Sequence, residues 1–150
     1  MADRSHDVQN AVERRRLQAL VARLSDEGLS RPLGAGWTVA GILAHLAFWD
    51  QRIVVLVEGW RHGGAAAVPA PLDHAGVDWI NDAAKPMLLA LPPRRAAELA
   101  VAIAEAADRT VETLHDDLLA RNAAAGNPVN LLRAEHRREH LDEIEQALRS

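Results

Sequence analysis

Apolar residues recur at helical spacing along four stretches of the chain, and no stretch shows a convincing strand-like alternation. The first runs from Asp7 to about Leu24, with Val8, Val12, Leu17, Leu20, Val21 and Leu24 spaced for one face and arginines and glutamines between them. Gly28 and Pro32 close it. Residues 30–36 read as a loop by their glycines and proline, and Trp37 follows where a hydrophobic staple would sit. Thr38 has the chemistry of an N-cap, because its hydroxyl can accept from an orphan backbone N–H, so a second helix is predicted from Val39 to about Arg61. On a wheel of about 100° per residue, Ile42, Leu46, Trp49, Ile53, Leu56 and Trp60 share one side, with Ala44, Gln51 and Glu58 opposite.

After Arg61 the pattern collapses through Gly63, Gly64, Pro69 and Pro71. Residues 62–93 exceed a tight helix-to-helix loop and read as a crossover. Within them, 77–83 predicts a short extra helix whose regularity Pro86 limits. A third long helix is predicted from Arg94 to about Arg121, with Ala96, Leu99, Ala100, Ile103, Ala107, Leu114 and Leu118 on one side. Its alanines would let a neighbour approach closely. Residues 122–130 form a loop with Gly126 and Pro128, and a last helix is expected from Val129 or Leu131 to Leu148. Four amphipathic helices of this length define an all-α class and a four-helix bundle with one long crossover. The second and third long helices need not be antiparallel neighbours. One domain spanning residues 1–150 is expected, long enough to bury a core without staples.

Composition narrows the chemistry. There are no cysteines, which removes disulfides, thiolate metal sites and cysteine nucleophiles. The amino-terminal residues carry no apolar signal core, and no later run is expected to reach the length of a membrane span, so a soluble cytoplasmic protein with no membrane partner follows. A net charge of -4 with interspersed signs argues against nucleic acid as a partner. The cluster Arg14, Arg15 and Arg16 reads as a solvated helix face. Of the 17 basic residues only Lys85 is a lysine, a bias compatible with a high-GC bacterial genome.

The histidines carry the candidate chemistry. His136 and His140 stand four residues apart on the last helix, so both rings can reach one metal ion, and a wheel places them on the side of Leu132, Ile144 and Ala147. Solvated surface histidines are the competing reading of that pair. His45 lies on the flank of the second helix's apolar side, near Trp49 and Arg52, and a third imidazole supplies the number of protein ligands an open catalytic site requires.

The segment Trp37-Thr38-Val39 with Leu43, His45, Leu46, Trp49 and Asp50, together with His136 and His140 in the terminal helix, resembles the DinB/YfiT superfamily, including the maleylpyruvate isomerase N-terminal-like proteins. The resemblance covers nearly the whole chain. It implies a divalent metal held by His45, His136 and His140, where some members have a carboxylate at the position of His136. It also implies thiol-dependent transferases and isomerases that use mycothiol or bacillithiol, beside members without an assigned reaction. The catalytic arginine that mycothiol-dependent isomerases contribute from a separate C-terminal domain has no counterpart in these 150 residues, which weighs against an isomerase.

Three neutral imidazoles would leave the +2 charge of a divalent ion uncancelled, favouring a coordinated thiolate or hydroxide. Zinc suits such a set best, and nickel or iron also fit. Glu139 and Glu143 are at helical reach of His136 and His140, either as acceptors for the second ring N–H or as solvated charges. Arg52 could hold an anionic group of a substrate or pair with a carboxylate at the core rim. Trp49 and Trp79 are candidates for pocket walls, His115 is a reserve ligand, and His6, His62 and His74 are expected to be solvated.

The expected function is a metal-dependent enzyme of small-molecule metabolism, a thiol S-transferase with a low-molecular-weight thiol cosubstrate or a hydrolase. The alternative is a non-catalytic small-molecule-binding or stress-response bundle with a structural or vestigial metal site. A small-molecule substrate is the expected partner, and a homodimer is compatible with the helix faces.

Overall fold

The computed structural model describes residues 2–64 and 70–150, so part of the predicted crossover, residues 65–69, lies outside the described residues. In chain order the elements are α1 (Ser5–Arg23), α2 (Asp26–Leu29), β1 (Pro32–Gly34), β2 (Trp37–Thr38), α3 (Val39–Gly63), α4 (His74–Leu89), α5 (Pro93–Glu112), α6 (Asp116–Ala124) and α7 (Ala134–Arg149). The four long helices α1, α5, α3 and α7 close a ring in that spatial order, each packed on the next.

Side-chain pairs fix the directions. Arg14 meets Asp108 and Arg94 reaches Leu24, so α1 and α5 are antiparallel. Asn10 meets Ala134 while Arg16 meets Asp142, so α1 and α7 are parallel. His45 meets His136 while the later Asp50 meets the earlier Arg133, so α3 and α7 are antiparallel. It follows that α3 and α5 are parallel neighbours, and the return path between them is the predicted crossover, carrying α4 along the outside of the bundle.

Local chemistry explains where the elements begin and end. The Thr38 hydroxyl accepts from the Gly41 N–H at 3.0 Å and starts α3 at Val39 as expected. The loop before it contains a two-stranded antiparallel ribbon, β1 on β2, whose turn has positive φ at Gly34, Ala35 and Gly36; glycine at two of those positions makes the turn cheap. Helix α4 is longer than the predicted 77–83. Asp73 caps it by accepting from Gly76 at 2.8 Å, and Pro86 is tolerated inside because it and Asp82, whose carbonyl it leaves free, are both open to solvent.

The predicted helix 94–121 is instead two helices, broken at Thr113. Its hydroxyl bonds back to the Arg109 carbonyl at 2.8 Å, and the Arg4 guanidinium takes the carbonyls of Glu112 and Leu114. The last helix starts at Ala134, later than expected, because buried Asn10 of α1 accepts from Ala134 and donates to Leu131, while Asn122 brackets Val129 in the same way.

Two apolar clusters fill the bundle. One joins Leu17, Leu20, Leu43, Leu46, Ala97, Ala100, Leu141 and Ile144; the other joins Ile53, Val57, Trp60, Val111, Leu119 and Val129. Ala44, expected on the polar side of α3, is buried, as is every residue from Val39 to Ala47, because α3 has partners all round it. Against the expectation from the sequence, α3 is long and apolar enough to cross a membrane. In this fold it is the core helix, with 67% of its apolar window buried in the bundle.

Candidate metal centre

His45 sits on the second turn of α3, a helix fixed at its start by the Thr38 cap, and its side chain projects toward α7. His136 and His140 occupy successive turns of α7 on the face that meets α3. The Nε2 atoms of His45 and His136 lie 3.0 Å apart, and the three ring centroids are 4.8 to 4.9 Å from one another. One ring nitrogen from each falls within 4.8 Å of the other two, so the three could hold a metal ion. An ion about 2.0–2.1 Å from each nitrogen in a tetrahedral set requires nitrogens roughly 3.3 Å apart, and the His45–His136 pair at 3.0 Å is near that spacing.

The electrostatics favour ligands over acids. Burial, then the nearby His140, pushes His45 down to about 4. Burial, then the His140, His45, Arg133 and Arg137 charges, pushes His136 down to about 2. Burial lowers His140 as well, although Glu143 and Glu139 oppose it. At neutral pH all three rings are uncharged and offer lone pairs. Nδ1 of His45 and of His140 is buried with no hydrogen-bond partner among the described residues. Two imidazoles facing each other at 3.0 Å with no shared carboxylate fit a divalent cation better than they fit a self-contained hydrogen-bond network.

The histidines open on a cavity of about 920 Å³ roofed by α4. Trp37, with its ring 5.7 Å from His45, and Trp49 form its apolar walls. Trp49 also donates to Asn81 on α4 at 2.8 Å, and Lys85 on α4 lies 5.0 Å over the Trp37 ring and donates to the Ala35 carbonyl. These two clasps hold the roof together with Leu88, packed on the core, and Leu89, set against Gly41 of α3.

The other sequence candidates distribute unevenly. Trp79 is 72% exposed and does not line the cavity. Glu139 lines it but is solvent-exposed, and Glu143 lies 3.9 Å from His140 Nδ1, beyond hydrogen-bond reach. Arg52 makes no ion pair among the described residues; its guanidinium lies 5.6 Å over the Trp49 ring, behind the cavity wall. His115 stands at the start of α6, away from the cluster, and is no reserve ligand. His74 is exposed at the cavity rim, His62 is exposed, and His6, expected to be solvated, is partly buried beside Asp7.

A charged layer between the two apolar clusters escaped the sequence reading. Arg137, with no exposed surface, bonds Asp108 at 2.8 and 2.9 Å and Asp50 at 3.0 Å; Arg133 bonds the other Asp50 oxygen at 2.8 Å. Burial opposes the Arg137 charge, but the Asp108 hydrogen bonds and the charges of Asp50 and Asp108 outweigh it and hold its pKa above the ordinary value. The signal was present in the stripes: Asp50 lies between Leu46 and Ile53, Asp108 between Ala104 and Val111, and Arg137 one turn before Leu141.

Fold and centre together define a helical bundle with one crossover and a three-histidine group between antiparallel helices. A model of the DinB superfamily matches residues 9–144, and the chain belongs to that superfamily. No curated protein and no solved structure matches it.

Proposed function

We propose that the protein is a metal-dependent enzyme of small-molecule metabolism that transfers a low-molecular-weight thiol to an electrophile or hydrolyses a reactive small molecule. The observation that carries this reading is the convergence of three uncharged imidazoles at the wall of a cavity large enough for a small ligand. A divalent ion held by His45, His136 and His140 would supply Lewis acidity that lowers the pKa of a thiol or water. The chain supplies the rest: Trp37 and Trp49 shape an apolar wall, and α4 brings polar side chains, Asn81 and Lys85 among them, to the opposite side. Zinc suits three nitrogen ligands with one position open. The test is thiol consumption by the metal-loaded protein, with mycothiol, bacillithiol or glutathione offered beside a panel of electrophiles. Transfer is supported by consumption that a His136→Ala variant loses. Without consumption, hydrolysis of activated esters and amides is the remaining catalytic reading, and its absence too would favour a binding module.

A further inference from the structure

Arg133 caps α7 one turn before His136, so the two side chains share a helix face. It is only 5% exposed, yet it lines the histidine cavity. Of its five N–H donors, Nε is spent on Asp50 at 2.8 Å and Nη1 reaches the Asn130 carbonyl at 3.5 Å. Nη2 has no hydrogen-bond partner among the described residues, and it is not one of the sealed, partnerless atoms, so it keeps accessible surface.

Arg133 and Arg137 share the one carboxylate of Asp50, and Arg52, which makes no ion pair among the described residues, lies close enough to Arg133 to be repelled by it. Asp50 gives one oxygen to Arg133 and the other to Arg137, and it does not pair with Arg52. Burial, and then the Arg133 charge, presses the Arg52 pKa below its ordinary value. A guanidinium repelled by another, with a partly free fork at a cavity wall, is an arrangement that an incoming anion relaxes.

We propose that Arg133, backed by Arg52, is a subsite for one carboxylate of the substrate, carried on the same molecule whose reacting end lies at the three histidines. A single negative charge fits better than a phosphate dianion, because Asp78, Asp82, Glu135 and Glu139 line the same cavity and repel further charge. The inference rests on the metal-site reading of the histidines and names the substrate class that reading leaves open.

The test uses the Co²⁺-loaded full chain and two thiol probes of matched shape, 3-mercaptopropionate and 3-mercaptopropionamide, followed by the visible spectrum of the ion. The acid is expected to bind about 10-fold tighter than the amide, the worth of one charge-assisted hydrogen bond. Arg133→Gln should abolish that preference, lowering acid affinity more than amide affinity, and Arg133→Lys should keep part of it. Arg52→Gln, which leaves the Asp50 pairing intact, should reduce it independently. Equal binding of acid and amide by the unaltered protein overturns the subsite, as does a preference that survives Arg133→Gln, which would show the carboxylate chelating the ion. Failure of Co²⁺ to bind overturns the metal reading itself, and the subsite with it, and is seen before any probe is added.

Discussion

Asp50 accepts from Arg137 at 3.0 Å, and that bond joins α3, which carries His45, to α7, which carries His136 and His140. The metal candidates thus sit within two turns of a buried charged layer that fixes the spacing of their helices, His136 directly beside Arg137 in the chain. Such a layer is poor evidence of stability in itself, since desolvation offsets most of the Coulomb gain. What it provides is registry, because sliding either helix by one residue would leave charges buried without partners.

Removing one member should therefore be costly. Arg137→Met leaves Asp50 with Arg133 and Asp108 with Arg14, so the loss belongs at the low end of the range for breaking a buried pair, about 3 kcal/mol. Urea unfolding measures it. A loss below about 1 kcal/mol would mean that water reaches the layer and that the registry argument fails.

Metal affinity should depend on the three histidines and on no fourth. His136→Ala is expected to weaken Zn²⁺ binding, read by calorimetry, by more than the roughly 100-fold that losing an outer partner can cost. His115→Ala, at the start of α6, should change nothing. Equal affinity in the unaltered protein and His136→Ala would remove the centre.

The metal-free protein should lose stability in acid through the same rings. His45 and His136 have folded pKa values of about 4 and about 2, below the ordinary 6.5, so below pH 6.5 the unfolded chain binds more protons than the folded one. Stability is complete above pH 6.5 and falls as pH drops toward 4, by at most about 1.4 kcal/mol per pH unit for each ring. Urea midpoints of the metal-free protein between pH 7 and 4 should fall less steeply for His45→Gln, whose side chain does not titrate. An identical slope would show that carboxylates alone govern acid unfolding.

What was legible in the chain and what was not divide along physical lines. Helix α3, its Thr38 cap, the placing of His136 and His140 on one face, and the crossover follow from periodicity and chain length, which are local or additive signals; that His45 joins the pair was implied by the family resemblance and is a long-range relation that the fold supplies. The break at Thr113 was hidden because Leu114 and Leu118 continue the helical spacing; a long-range clamp by Arg4 and a hydroxyl bonding backward decide it. The charged layer was hidden for the opposite reason. Asp50, Asp108 and Arg137 each interrupt an apolar stripe, and only the fold brings opposite signs together. The position of Trp79 turned on which face of α4 meets the bundle, and an amphipathic helix without a single buried residue gives that choice little weight.

Gly41 tests how tightly the Thr38 cap and Trp37 are packed beside the centre. A Cβ there would lie 2.6 Å from Leu89 Cδ2 on α4 and 3.2 Å from both Thr38 Oγ1 and Trp37 Cε3. The Leu89 methyl is the end of a flexible side chain and can swing away, but the cap hydroxyl and the indole that walls the cavity must each give by a few tenths of an ångström. Alanine at a helical position gains about 1 kcal/mol over glycine, while overpacking costs roughly 1–3 kcal/mol. The second effect wins, and Gly41→Ala should lower stability by about 1 kcal/mol with a change in tryptophan fluorescence as Trp37 shifts beside His45. A more stable Gly41→Ala protein with unchanged fluorescence would instead show that the cap hydroxyl and the Trp37 ring yield without cost and that the wall beside His45 is not tightly packed.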